Sequence, residues 1–196
     1  MKAPRRAFAA SLCTLAVSGT MLAASPAAPA ATANRAMAAA PAPLFRAKLM
    51  ANHSGKCLDV PTASQVAGQA VQQWHCYDAP DNQTWNFVAA YNSNLADGYL
   101  ADGYYTIRAQ HSGMCLEVAG GITADQASVT QQTCDTTNRT TQQQWRLVQR
   151  PNGHFSLVTR HSGKCLTVPG GNLTDGVFVV QQGCSNDLPY QEWKLH

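Results

Sequence analysis

The chain has 196 residues with 14 basic and 11 acidic side chains, a formal net charge of +3 at pH 7. Four of the basic residues lie before residue 44, which leaves 10 basic against 11 acidic residues, so a basic surface for nucleic acid or anionic lipid is not supported. The remaining length of about 150 residues is enough for one domain with a hydrophobic core.

The N-terminus has the pattern of a secretory signal. Lys2, Arg5 and Arg6 form a basic head, and the segment from Ala7 to Ala24 is apolar without a charge. We therefore assign residues 1–30 to a signal peptide and expect a secreted, extracellular protein. The Arg pair also resembles a twin-arginine export motif, so both export routes stay open. A transmembrane anchor is the alternative, but the apolar run is short and diluted by Ser, Thr and Gly, so we expect no membrane insertion.

Residues 31–43 are rich in Ala and Pro. They contain too few large apolar side chains to pack into a core, so we expect a linker that is disordered or removed. The folded domain is then predicted to comprise residues 44–196.

One pattern occurs three times in this domain, in repeats at about 44–94, 95–150 and 151–196. Each repeat opens with His-Ser-Gly, continues with Cys-Leu-x-Val and ends with Gln-x-Trp. A Val and a Gln also precede the second cysteine of each repeat by five and three residues. In a strand these two kept residues share a face, and the variable residues between them lie on the other.

Six cysteines lie in the repeats, 19 residues apart within each one. Six cysteines allow 15 pairings in principle, but the repetition favours three equivalent local bridges. These are Cys57–Cys76, Cys115–Cys134 and Cys165–Cys184. Zinc binding is the alternative, but the sequence has no C-x2-C knuckle, so we expect neither a metal nor another cofactor.

Short runs of β-branched and aromatic residues, such as YTIRAQ, SVTQQT and VFVVQQ, predict an all-β fold. About four strands per repeat give about twelve strands with threefold pseudosymmetry. The Trp of each Gln-x-Trp motif and the apolar residue two positions later are predicted to face one common core. The pentapeptide Leu-Ala-Asp-Gly-Tyr occurs twice between residues 95 and 104, which we interpret as a slack surface connection.

Polar side chains of the first repeat are predicted to lie together. If Cys57 pairs with Cys76, then Asp59, Gln72 and Trp74 lie on the outer face of one small hairpin. That cluster is the candidate site.

The three Gln-x-Trp motifs, each preceded by Cys-Leu-x-Val and a pair of cysteines, resemble the ricin B-type β-trefoil lectins, here in a secreted, bacterial-type form. The resemblance covers about residues 45–196. It implies a β-trefoil of three tandem four-strand repeats that binds sugar in shallow pockets, up to one per repeat. The implied partner is a polysaccharide or glycoconjugate glycan of galactoside or xylan/arabinan type.

In that family a competent pocket uses an Asp, a Gln, an aromatic residue and an Asn-Gln pair. The first repeat matches at every position: Asp59, Gln72, Trp74, Asn82 and Gln83. Trp74 would stack on the apolar face of a pyranose, and Asp59 and Asn82 would supply an acceptor and a donor for neighbouring hydroxyls.

The second and third repeats depart from this pattern. The second has Glu117, Thr130, Gln132 and Gln142 at these positions, and the third has Thr167, Val180, Gln182 and Tyr190. Both lack the stacking aromatic and the short carboxylate. We therefore expect them to be vestigial, with Gln143 and Gln191 as scaffold, in a monomer with one site. Weak binding of another kind through Glu117 or Tyr190 stays open.

Motifs of hydrolases, zinc proteases and phosphate-binding loops are absent from the sequence. Asp59, Asp78 and Asp81 would form a glycosidase pair only in a cleft that raises one pKa, and a hairpin face is too shallow. We therefore expect a lectin module without a catalytic domain rather than an enzyme. The alternative is a protein-binding or protease-inhibiting β-trefoil.

Overall fold

A computed structural model of the chain describes residues 43–78, 81–90, 95–96, 99–100, 103–137 and 139–196. The predicted signal peptide and all but the last residue of the predicted linker lie outside the described residues. Within the described part of the chain, no helix is long and apolar enough to cross a membrane.

The first repeat forms four strands, which are β1 (Phe45–Ala51), β2 (Cys57–Asp59), β3 (Gln72–Trp74) and β4 (Thr84–Ala89). The second forms β7 (Tyr104–Ala109), β8 (Cys115–Val118), β9 (Ala127–Gln132) and β10 (Gln144–Gln149). The third forms β11 (Phe155–Thr159), β12 (Cys165–Thr167), β13 (Val177–Phe178), β14 (Val180–Gln182) and β15 (Trp193–Leu195). Because β13 and β14 are one strand interrupted at a single residue, the prediction of four strands per repeat is confirmed.

Between the first two repeats, β5 (Leu95–Ala96) and β6 (Tyr99–Leu100) pair with each other. They belong to the duplicated pentapeptide, whose other residues up to 102 lie outside the described part. Among the described residues there are also six 3₁₀ helices of three residues: Pro61–Ala63, Asp81–Gln83, Ala119–Gly121, Thr141–Gln143, Pro169–Gly171 and Pro189–Gln191.

The first and last strands of the repeats close into a six-stranded antiparallel ring in the order β1, β4, β7, β10, β11 and β15, with β15 returning to β1. The inner strands of each repeat pair as hairpins, β2 with β3, β8 with β9 and β12 with β14. Three backbone hydrogen bonds then link these hairpins in a cycle, from Val71 N to Val129 O, Val129 N to Val179 O and Val179 N to Val71 O. This cycle marks the pseudo-threefold axis and confirms the β-trefoil.

The core is built around three tryptophans. Trp85, Trp145 and Trp193 are fully buried, and each indole Nε1 donates to the carbonyl of the Leu in the Cys-Leu-x-Val strand of the same repeat at 2.9–3.1 Å. Of their apolar companions only Phe87 is fully buried, whereas Leu147 and Leu195 are half-buried. Leu147 and Leu195 still pack against the core cluster, so the predicted apolar pair faces the common core in all three repeats.

One Gln occurs in every repeat, three residues before the second cysteine. It joins each repeat to its neighbour. Gln73 Nε2 donates to Asn172 O and Thr174 O of the third repeat, and Gln73 Oε1 accepts from Ser54 Oγ. The same bonds occur around Gln131, which reaches the first repeat, and around Gln181, which reaches the second. The Ser of each His-Ser-Gly turn supports this Gln, and the Gly adopts φ of +66 to +69°. The repeated motifs thus encode a cyclic set of contacts between repeats.

The three predicted disulfides, Cys57–Cys76, Cys115–Cys134 and Cys165–Cys184, are all present. Each ties the start of an inner hairpin to the chain just beyond it, so the pairing predicted from the repeat spacing is confirmed.

Candidate functional site

The hairpin of β2 and β3 assembles the candidate site in the first repeat. Its register places Asp59 opposite Gln72 and Cys57 opposite Trp74. The site is an open cavity of about 470 Å³, lined by Asp59, Pro61, Thr62, Ala63, Gln72, Trp74, Tyr77 and Asn82. The structure thus brings four of the five sequence-predicted residues to one cavity, and the fifth, Gln83, lies beneath it.

Asp59 is the centre of the polar network. Its Oδ1 accepts a hydrogen bond from Gln72 Nε2 at 2.8 Å, and its Oδ2 accepts from Asn82 Nδ2 at 2.9 Å and Gln83 Nε2 at 3.0 Å. A carboxylate offers about four lone-pair positions, so three amide donors leave one acceptor position, on Oδ1. That position is what Asp59 offers to a ligand hydroxyl.

Asp59 and Gln72 are less exposed than the sequence suggested. We expected both on the outer face of the hairpin, but they are only 2% and 8% exposed. The reason is that the turn Asp81–Gln83 folds over β2, so that two of its amides bond to Asp59. Burial raises the pKa of Asp59 above its ordinary value of 3.8, and the hydrogen bonds from Gln72 and Gln83 partly oppose that rise.

Asn82 and Gln83 have different roles from those that the sequence suggested. Asn82 Nδ2 donates to both Asp59 Oδ2 and Val60 O, which leaves only its carbonyl oxygen for a ligand, an acceptor where we expected a donor. Gln83 is fully buried and donates to Asp59 Oδ2 and His75 O, while its Oε1 accepts from Tyr77 N. Gln83 therefore positions Asp59, as Gln143 and Gln191 position the residues at the same place in their repeats.

Trp74 forms the aromatic wall. Its Nε1 donates to Tyr77 Oη at 3.0 Å, which fixes the indole plane. Behind it lies Gly176 of the third repeat, where an added Cβ would stand 3.5 Å from the indole. Asp175 accepts from Lys56 Nζ at 2.6 Å and contacts His75 Nδ1 at 3.0 Å, so the third repeat holds this edge of the site. The indole is half-buried, with part of its surface open to solvent.

Sequence reasoning missed Tyr77, Thr62 and Ala63. Tyr77 stands where the other repeats have an Asp and a Ser, so an aromatic residue directly after the second cysteine was the available signal. Thr62 and Ala63 adopt left-handed φ values of 53° and 50°, where the other repeats have Gly-Gly. Non-glycine residues there carry backbone strain, which is concentrated at functional sites. Their side chains extend the cavity wall.

The equivalent positions in the other repeats are filled differently. In the third repeat the ring of Tyr190 lies against Gly171, only 2.9 Å from where a Cβ would stand, so the ring covers the Gly-Gly turn. In the second, Gln142 lies 3.4 Å from the same point on Gly121, and the buried Glu117 accepts from Gln143 Nε2 at 2.6 Å. Neither position offers an indole beside a short carboxylate.

The first-repeat cavity combines an aromatic wall with fixed hydrogen-bond acceptors. Asp59 is the single carboxylate among its lining residues, so the lining supplies no acid-base pair. Within the described ranges, no three His, Cys, Asp or Glu side chains cluster closely enough to hold a metal ion. An indole face next to fixed acceptors suits a ligand with an apolar face and a hydroxyl edge.

Three comparisons with known proteins bear on the family. The model of the ricin-type beta-trefoil lectin domain-like family matches residues 45–99, 81–182 and 141–196. A search of curated proteins found no significant match.

Among solved structures, the designed threefold-symmetric protein ThreeFoil is 41% identical over 76% of this chain and 96% of that one, with a TM-score of 0.67. An exo-beta-1,3-galactanase from Clostridium thermocellum is 27% identical over 76% of this chain and 29% of that one, with a TM-score of 0.66. A ricin B-like lectin from Macrolepiota procera, in complex with lactose, shares the fold at 16% identity over 80% of this chain and 97% of that one, with a TM-score of 0.61. Since the family model matches across residues 45–196, the chain belongs to the ricin-type β-trefoil lectin domain-like family.

Proposed function

We propose that the chain is a secreted lectin that binds a galactoside- or xylan/arabinan-type glycan through one cavity, in its first repeat. The family supports a non-catalytic carbohydrate-binding module. The observation that carries the proposal is the pairing of a fixed indole, Trp74, with a carboxylate that three amides hold in place and that keeps one acceptor position.

The arrangement matches the two surfaces of a pyranose. The C–H face of a sugar ring is apolar and packs against an indole, and its edge carries hydroxyls that donate to fixed acceptors. Asp59 Oδ1 and the side-chain carbonyl oxygen of Asn82 are such acceptors, and both residues belong to the cavity lining. Because the protein itself holds these acceptors by hydrogen bonds, little ordering is needed when the sugar binds.

Export and a monomeric state are parts of the same proposal. Three disulfides in a domain of this size are typical of proteins that fold in an oxidising compartment. The predicted signal peptide also supports export. One competent cavity per chain would make the protein monovalent.

The test is titration calorimetry with the best ligand from a glycan array, with galactans first because the galactanase neighbour is named for that polymer. Trp74→Ala is expected to weaken binding beyond measurement, because a shallow cavity cannot replace the stacking surface. Gln132→Ala alters the same strand position in the second repeat and is expected to bind normally. Full binding by Trp74→Ala would show that the sugar binds elsewhere.

A further inference from the structure

A second cavity lies on the outer face of the strand ring. It measures about 370 Å³ and is lined by Pro43, Arg46, Asn86, Val88, Arg108, Gln110 and Gly113. It shares no lining residue with the first-repeat cavity, and its volume is in the range of small-molecule sites.

Strand register places two arginines on either side of one amide in this cavity. Arg46 of β1 pairs with Asn86 of β4, and Asn86 pairs with Arg108 of β7. All three side chains alternate with core-facing neighbours and point outward. With strands about 4.8 Å apart, the two arginines start about 10 Å from each other, close enough for both guanidinium groups to reach one anion.

In the part of the chain that the structure describes, the two arginines have no acidic partner. The lining contains no carboxylate, and among the described residues neither Arg46 nor Arg108 takes part in a salt bridge. Arg108 is half-buried, and this burial lowers the pKa of its guanidinium, since the charged form is desolvated. A desolvated charge without a counter-charge is costly, and such a charge is usually paired.

Among the described residues, two buried polar atoms in the cavity lack a hydrogen-bond partner. They are Arg108 Nε, which is a donor, and Asn86 Oδ1, which is an acceptor. Asn86 Nδ2 is already used by Gln110 Oε1 at 2.7 Å. A ligand that satisfied both atoms would carry an anionic oxygen beside a hydroxyl donor.

The pseudosymmetry shows that the fold does not require this arrangement. On the second equivalent face the central residue is Arg146, flanked by Tyr104 and Val158. On the third it is Lys194, which pairs with Met50. Those faces carry their cation in the central strand, whereas two cations flank an amide only here.

We propose that this cavity binds the carboxylate of a hydroxylated acid such as a uronic acid. Arg46 and Arg108 hold the carboxylate, and Asn86 Oδ1 accepts a hydrogen bond from a neighbouring hydroxyl. The site is separate from the proposed glycan site of the first repeat and does not depend on it.

The experiment follows the Arg Nε–H signals of the purified, ¹⁵N-labelled chain by NMR during titration with D-glucuronate, D-glucose or acetate. Glucuronate is expected to shift the Arg108 signal and to bind more tightly than acetate, and glucose is expected to leave that signal unchanged. Equal responses to glucuronate and glucose would overturn the proposal. Equal affinities for glucuronate and acetate would overturn the role of Asn86.

Variants separate binding from folding. Arg108→Met should weaken glucuronate binding by about tenfold or more, the effect of one charge-assisted hydrogen bond. Methionine occupies the equivalent position at Met50, so the unfolding temperature of this variant should not fall. Arg46→Gln should also weaken binding, and Lys194→Gln, a cation on an equivalent face, should not. A lower unfolding temperature or unchanged affinity in Arg108→Met would contradict the assignment.

Discussion

Replacing Asp59 by Asn tests the role of the buried carboxylate in sugar binding. Asp59 accepts three amide hydrogen bonds. In Asp59→Asn the new carbonyl oxygen can keep the bonds from Asn82 and Gln83, and the new amide group faces Gln72. Gln72 can turn its own amide to accept from it, so all the partners stay satisfied.

The expected magnitudes follow from this exchange. The free energy of unfolding should change by less than about 1 kcal/mol, since no buried group loses its partner. Sugar binding should weaken by about 1.5–3 kcal/mol, or about 10- to 150-fold, because the acceptor position on Oδ1 becomes an amide donor. The Asp59→Asn variant should therefore be folded and yet bind sugar weakly.

The pH dependence gives a second, independent readout. Burial raises the pKa of Asp59, so its contribution to folding stability is fully present below 3.8 and is lost as pH rises through the raised pKa. Sugar binding has the opposite sign: it is present above the raised pKa and is lost as pH falls through it, because a protonated oxygen no longer accepts. Both dependences should be missing in Asp59→Asn.

Calorimetry at several pH values and chemical denaturation measure these quantities. Glu117→Gln is the matched control, because Glu117 is the buried carboxylate at the same position of the second repeat. It should leave sugar affinity unchanged. Wild-type affinity in Asp59→Asn, or a loss of affinity in Glu117→Gln, would refute the reasoning.

Two further predictions concern stability. Trp85→Ala should lower the free energy of unfolding by about 3–5 kcal/mol, since it leaves a cavity in the core and removes the bond to Leu58 O, and thermal or urea unfolding measures the loss. A loss below about 1 kcal/mol would contradict the assigned core role. Gln131→Ala should cost about 2–4 kcal/mol in the same assay, because Gln131 is fully buried and the change removes its three hydrogen bonds, with Ser112, Ser64 and Val66. Thr133→Ala, two residues further along the same chain, is the control and should unfold like the wild type.

The repeats made the fold predictable. Three copies of one pattern identify the strands, the cysteine pairs and the tryptophans, because each copy must satisfy the same packing and hydrogen bonds. The sequence also pointed to Asp59, Gln72 and Trp74 as neighbours, since alternation along two strands joined by a disulfide places them together.

Contacts that reach beyond a single hairpin could not be predicted in this way. The burial of Asp59 depends on how the turn Asp81–Gln83 folds back, and the support of Trp74 comes from Gly176, about 100 residues away in sequence. The row of Arg46, Asn86 and Arg108 depends on which strands are neighbours in the closed ring. Alternation within one strand gives the face of a residue but not its neighbours across the sheet.

The central claim is that the chain has one competent glycan cavity, in its first repeat. The most direct measurement is the binding stoichiometry, obtained by titration calorimetry of the purified chain with the best ligand from a glycan array. The account predicts a stoichiometry near one for the wild type and no measurable binding by Trp74→Ala. A stoichiometry near three for the wild type, or measurable binding by Trp74→Ala, would contradict it.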